Sequence, residues 1–377
     1  WINDGLMTIF FLLIGLELER EIYAGELSNV KNALLPIFAA VGGMLVPAGL
    51  YMFLNYGTET QSGAGIPMAT DIAFALALLS LAGKRIPLSV KVFLSALAVA
   101  DDLGAVLVIA FFYTANISFL PLLIAGGFLV VLALGNYLGV RSIAFYLIVG
   151  IIVWIGFLFS GVHATIAGVL AAFTIPANVK IDEIGFSEKM KMYLEKFKKA
   201  DPNGVPTVTP EQLHILEDMR TLSKQAMTPL QRLEHGLHPV VTFIIMPIFA
   251  LANAGVTLSS ETATTTSSYV AIGVIFGLLI GKFIGIVGVT SLLLKLKVAS
   301  LPEGMNYKHL IGVGLLASIG FTMSLFVANL AFDNNELIQQ AKIGILIASL
   351  TGGTIGYFYL YFIKPKATII IKESDIH

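Results

Sequence analysis

Apolar runs of close to twenty residues fill most of the chain, divided by short stretches of charge, glycine and proline, and none alternates with period two. Wound as helices, runs of this length match the hydrocarbon thickness of a bilayer. They predict eleven spans, at about 1–18, 33–54, 64–82, 88–114, 117–138, 142–159, 161–177, 237–256, 268–292, 309–331 and 338–362. Two spans are interrupted by polar residues: Ala69-Thr70-Asp71-Ile72-Ala73-Phe74 in one, Ser318-Ile319-Gly320-Phe321-Thr322-Met323-Ser324 in the other. Residues 178–236 form the one long polar connection. It carries two capping signals, Thr209-Pro210-Glu211-Gln212 and Thr228-Pro229-Leu230-Gln231, and a helical stripe of Met190, Tyr193, Leu194 and Phe197. It reads either as a regulatory or partner-binding lobe or as a plain helical hairpin joining two membrane halves.

Composition turns the pattern into a fold class. With 56% hydrophobic and 12% charged residues and a mean hydropathy of +0.86, the chain holds too little polar surface to cover a water-soluble core. A bilayer leaves backbone groups no water, so spanning segments must be helices or a closed barrel. The absence of alternation selects helices, and the chain reads as an all-α polytopic membrane protein. A net charge of -1 gives no sign of a nucleic-acid partner, and the lack of cysteine excludes disulfides and thiolate metal sites. Trp1 begins almost directly on an apolar run with no charged leader, which predicts that at least one N-terminal helix precedes it.

Charge sets the expected orientation, because Lys and Arg gather on the cytoplasmic side. Alternate connections hold Arg20 and Lys31; Lys84, Arg85 and Lys91; Arg141; nine basic residues in 178–236; Lys295, Lys297 and Lys308; and Lys364, Lys366 and Lys372. That places 21 of 23 basic residues on one face, with Lys342 opposite and Lys282 inside a span. The expected layout is a first membrane half at 1–177, a cytoplasmic helical connection at 178–236, a second half at 237–364 and a cytoplasmic tail at 365–377. The span triplets 33–114 and 268–362 have opposite topology, and the middle span of each is the interrupted one. This is the arrangement of an inverted-repeat transporter with two discontinuous helices crossing at mid-membrane.

Four residues carry the expected chemistry. Asp101 and Asp102 lie about ten residues into a span, roughly 15 Å deep at about 1.5 Å per residue. A central Asp costs on the order of 3 kcal/mol to insert, so the pair calls for a cavity or a partner. Adjacent helix positions point about 100° apart, which gives the two separate tasks unless they are static packing groups. Asp71, at the interruption, either neutralises half-helix ends or ligates an ion. Lys282 is the one basic residue mid-span, and the economical partner for it is one of the central aspartates. Three lesser groups follow. His163, near an outer helix end, is structural or a proton relay. Glu234, His235 and His238 form an interfacial cluster with Pro239 opening the next span, either pH-responsive or merely solvated. Glu17, Glu19, Arg20 and Glu21 form a cation funnel or a solvated helix end.

The segments Ala69–Leu76, Ala98–Ala105, Gly161–Thr165, Arg232–His235 and Gly320–Ser324, in that order, resemble the NhaA family of bacterial sodium/proton antiporters. The resemblance runs from Trp1 to about Lys364, excepting roughly 180–228. It implies a twelve-helix fold with a ten-helix core of inverted repeats, a property already known for that family. It further implies Asp101 and Asp102 as the cation and proton site, Lys282 as the ion-pair partner of Asp101, and Thr70 as a further oxygen ligand. Thr70, Asp71, Gly320, Phe321 and Thr322 would form the crossing, and Glu17, Glu234, His235 and His238 a pH-response group. Three positions depart from the pattern: Ser318 stands where Gly is expected, Glu19 where Lys is common, and the cytoplasmic connection is longer.

The expected function is therefore Na⁺ (or Li⁺) export in exchange for H⁺ across a bacterial inner membrane, electrogenic and pH-regulated, by a transporter rather than an enzyme. Its partners would be the transported ions, the bilayer and a second copy in a homodimer, with no cofactor and no nucleic acid. A sodium-coupled solute symporter is the alternative on the same fold. An intramembrane aspartyl protease would need its second aspartate in a Gly-x-Gly-Asp motif, whereas Asp101 follows Val99-Ala100.

Overall fold

The structure is a computed structural model and describes residues 1–114, 117–200, 207–256 and 268–363; the expected tail at 365–377 lies outside them. Every regular element among the described residues is helical. In chain order they are α1 (Met7–Ala24), α2 (Val30–Leu54), a 3₁₀ helix (Glu59–Met68), α3 (Ile72–Leu81), α4 (Leu88–Phe112), α5 (Phe119–Tyr137), α6 (Ile143–Ser160), α7 (Thr165–Ala172), α8 (Glu183–Lys199), α9 (Pro210–Ala226), α10 (Pro229–Asn253), α11 (Tyr269–Lys295), α12 (Tyr307–Leu316), α13 (Phe321–Ala331) and α14 (Asn335–Tyr361).

Seven helices are long and apolar enough to cross a membrane, and nine spans result if each bent pair counts as one. The bent pairs are the two predicted discontinuous helices: the 3₁₀ helix with α3, bent by 40°, and α12 with α13, bent by 46°. Two of the eleven expected spans fall short of that test. α1 carries Glu17, Glu19, Arg20 and Glu21 in its last turns, and α7 is only 8 residues long, preceded by a left-handed Gly161.

The expected span 237–256 starts earlier. The helix capped by Thr228 does not belong to the polar connection but runs on as α10, because its capping box forms and nothing stops it. Pro239 consequently sits inside that helix rather than opening it, and the turn after it widens into a π segment at Val241–Ile245. The predicted helices of the connection are present as α8 and α9, with Thr209 and Gln212 capping reciprocally.

The described residues group into two compact units. One draws on the described residues of 3–23 and 117–245, the other on those of 24–114 and 246–363. In the first, α1 meets α7 through glycine: a Cβ on Gly15 would lie 2.6 Å from that of Ala172, and one on Gly168 would lie 2.5 Å from the Thr8 carbonyl oxygen. In the second, α2 and α11 approach until their backbones touch, as helices do in lipid, where close packing replaces the hydrophobic drive. A Cβ on Gly285 would stand 2.1 Å from the Gly42 carbonyl oxygen, and backbone cannot yield as a side-chain tip can. Gly285→Ala is therefore expected to lower stability by about 1–3 kcal/mol or more. Gly288→Ala, whose nearest neighbour would be 3.9 Å away, should change it little. Thermal unfolding of the two purified variants checks the contrast.

Candidate functional site

The crossing lies wholly within the second unit. After the 3₁₀ helix, Ala69 is extended (φ -84°, ψ 146°) and the chain re-enters helix only at α3, with Asp71 as N-cap. Asp71 Oδ1 accepts the amide of Phe74 at 3.2 Å, and Oδ2 accepts the amide of Thr322 at 3.1 Å together with the Thr322 hydroxyl. Thr322 sits in the first turn of α13, whose N-cap is Gly320. One carboxylate thus caps two half-helices whose positive ends meet at the break. Both oxygens of the Asp71 carboxylate are thus engaged by protein donors.

Further bonds tie the unwound stretches together. The Asp71 amide donates to the Ile319 carbonyl at 2.6 Å, and the Thr70 hydroxyl to that of Ala317 at 3.0 Å. Ser324 Oγ donates to the Ile66 carbonyl at 2.8 Å, and Ser349 Oγ accepts the Phe321 amide at 3.1 Å. Ser349 was invisible to motif reading, since a serine within an apolar run has no signature. Ser318, the departure from the expected glycine, turns its hydroxyl onto the Leu315 carbonyl at 2.5 Å. It is accommodated because Gly352 faces it: a Cβ there would lie 1.8 Å from Ser318 Oγ.

Beside the crossing, Asp101 and Asp102 on α4 and Lys282 on α11 are all fully buried. Lys282 Nζ donates to Asp101 Oδ2 at 2.5 Å, and the Asp102 carboxylate also acts on Lys282 electrostatically. Thr70 lies close enough to the Asp101 carboxylate to act on it electrostatically. Thr70, Asp101, Asp102 and Lys282 are therefore one cluster. Lys282 stands between two π-helical segments, Gly277–Gly281 and Ile284–Gly288, which the sequence did not announce. Such widened turns break the regular backbone ladder and recur at functional sites. Among the described residues no three or more His, Asp or Glu side chains converge as for a resident metal. Two carboxylates and a hydroxyl instead offer a hard cation oxygen ligands that a proton can also occupy.

The remaining candidates lie in the first unit. Arg20 Nε donates to Glu234 Oε1 at 3.0 Å, its Nη1 stands 3.3 Å from Glu21 Oε1, and Glu17 faces both Glu234 and Arg20. The acidic residues of α1 are thus joined to α10 through Arg20, a link that spacing could not reveal. His235 and His238 are exposed on α10. His163 is half-buried in the turn before α7, and its carbonyl accepts the Ile166 amide at 3.1 Å.

The chain is 51% identical over 361 residues to the Na(+)/H(+) antiporter NhaA of Oleidesulfovibrio alaskensis, covering 96% of this chain and 80% of the relative. It is 49% identical over 374 residues to that of Flavobacterium psychrophilum (99% and 86%), and 46% identical over 371 residues to that of Helicobacter pylori (98% and 84%). The family described as Na+/H+ antiporter 1 matches residues 1–360, and the chain, with its two broken helices, belongs to it.

Proposed function

We propose that the chain exchanges Na⁺ for H⁺ across a membrane at the cluster of Thr70, Asp101, Asp102 and Lys282. The observation that carries this reading is the buried Lys282–Asp101 pair, with Asp102 adjoining it, beside the crossing of the two broken helices. In the cation-free state Lys282 neutralises Asp101. A cation entering the cluster is held by Asp102, by Asp101 and by the Thr70 hydroxyl oxygen, and the protons held by Asp102 and by the Lys282–Asp101 pair leave. Because one set of oxygens serves both ions, binding either expels the other, and alternating access makes the competition an exchange. Asp71 keeps the half-helix ends neutral so that the path carries no fixed positive barrier.

If Asp102 and either Asp101 or Lys282 each release a proton as one Na⁺ binds, every cycle moves net charge and the membrane potential drives Na⁺ export. Li⁺, a smaller cation of the same charge, fits the same oxygens. The sidedness of Lys and Arg supports a multi-pass arrangement in a bacterial inner membrane with the C-terminus cytoplasmic. In that arrangement the Glu17, Arg20 and Glu234 group faces the cytoplasm, where it and the exposed His235 and His238 tune transport to pH. The 178–236 connection links the two membrane halves, and a homodimer is the working assembly.

The test is Na⁺-induced proton release in proteoliposomes of the protein. Addition of Na⁺ should collapse an imposed pH gradient without any organic solute. A Na⁺ flux that requires a solute would instead favour the symporter. Competition also fixes the sign of the pH dependence. Lowering external pH raises proton occupancy of the shared oxygens, so the apparent KM for Na⁺ should rise, by up to about tenfold per pH unit where one proton is displaced. A KM that stays flat from pH 6 to 9 would sink the competitive scheme.

A further inference from the structure

The second unit contains a cavity of about 1200 Å³ that none of the transport residues lines. The first turns of α2 and α4, the end of α11 and the connection that follows α11 enclose it. Its charged lining comprises Lys31, Lys297, Glu26 and Glu303. Lys31, Lys297 and Glu303 enter no ion pair among the described residues. Its apolar lining is contributed by Leu88, Val92, Leu294 and Leu301, all partly or largely exposed, above a floor of buried Phe93.

The backbone is bent to build this mouth. Lys297 has φ +56°, and is the one described non-glycine residue in the left-handed region. The Lys297 amide donates to the Leu294 carbonyl at 3.2 Å and that of Val298 to Leu293 at 3.1 Å, a helix-ending reversal at which glycine is usual. A lysine held in a conformation that disfavours it, at the rim of a cavity, is an outlier of the kind that collects at binding sites.

The charge pattern specifies the occupant. Two lysines suit a phosphate, but the two glutamates on the same mouth would repel a ligand of net negative charge. A headgroup bearing a phosphodiester and a primary ammonium pairs with the two lysines and with Glu303, beside Glu26. Apolar walls at the same opening suit acyl chains. We propose that this cavity binds one aminophospholipid, its phosphate on Lys31 and Lys297, its ammonium on Glu303 beside Glu26, and its acyl chains against α4 and α11. The lining residue Ala96 lies five positions before Asp101 on α4, about 7.5 Å along the helix, so the lipid braces the helix that carries the carboxylate pair. The proposal does not depend on which ion the carboxylates carry.

Native mass spectrometry of the detergent-purified protein, titrated with phosphatidylethanolamine, phosphatidylcholine and phosphatidylglycerol of matched acyl chains, tests it. One phosphatidylethanolamine should be retained at about a tenth of the concentration the other two need. Lys31→Ala with Lys297→Ala should abolish that advantage, and Glu303→Gln, at an exposed position, should narrow the gap between phosphatidylethanolamine and phosphatidylglycerol. Equal retention of all three lipids by the parent overturns the proposal, as does retention unaffected by the lysine changes. An unaltered gap in Glu303→Gln overturns the ammonium assignment. Displacement by glycerophosphoethanolamine at equal concentration overturns the lipid assignment, because that molecule has no acyl chains.

Discussion

Asp102→Asn should leave the protein folded and inserted but reduce Na⁺-induced proton release to the background of empty vesicles. Asparagine matches aspartate in shape, so packing around a fully buried position on α4 is preserved. What changes is charge and proton chemistry. The amide takes up no exchangeable proton at working pH, and its N–H₂ points donors where a cation needs oxygen. One unit charge at about 4 Å from a cation, at an effective dielectric near 20, is worth on the order of 4 kcal/mol, roughly a thousandfold in affinity. Everted vesicles holding an imposed pH gradient give the readout: Na⁺ dissipates the gradient with the parent and leaves it standing with the variant. A variant that dissipates it at the parent's rate would remove Asp102 from the ion site.

The polar interruptions in the apolar runs made the crossing legible before any coordinates, because a break in a membrane helix is tolerated only where other groups take over its backbone bonds. Asp71 shows the limit of that reading. Its place at the break was evident, yet that its two oxygens cap two different helices depends on the approach of Thr322, 251 residues away. Long-range pairing hid Arg20 and Glu234 in the same way, since neither residue's local sequence names the other. The π segments around Lys282 left no trace because glycine and aliphatic residues fit a widened turn as readily as an α-helical one. Pro239 misled for a definite reason: proline usually marks a helix start or stop, but inside a membrane helix a local change of winding re-satisfies the freed carbonyl. The close approach of Gly42 and Gly285 was hidden for the opposite reason, as 36 glycines in the chain give no sign of which two meet.

Removing Lys282 alone should destabilise the protein far more than removing it together with Asp101. Lys282→Met leaves Asp101 as an uncompensated buried charge, and Asp101→Leu does the same to Lys282; either is expected to cost about 3–5 kcal/mol. Replacing both with apolar side chains removes the pair's desolvation cost along with its attraction, so Lys282→Met with Asp101→Leu should recover most of the loss. Thermal unfolding of the three variants measures this coupling. Function should not follow stability. With the pair gone, Asp102 is the one proton carrier left in the cluster, and whatever exchange survives moves one H⁺ for each Na⁺ and no net charge. In sealed vesicles with a potassium diffusion potential, the parent's exchange should respond to the sign of the potential and the double variant's should not. If the double variant stays as voltage-sensitive as the parent, the second proton is carried outside the Lys282–Asp101 pair, and that pair is a structural strut between α4 and α11.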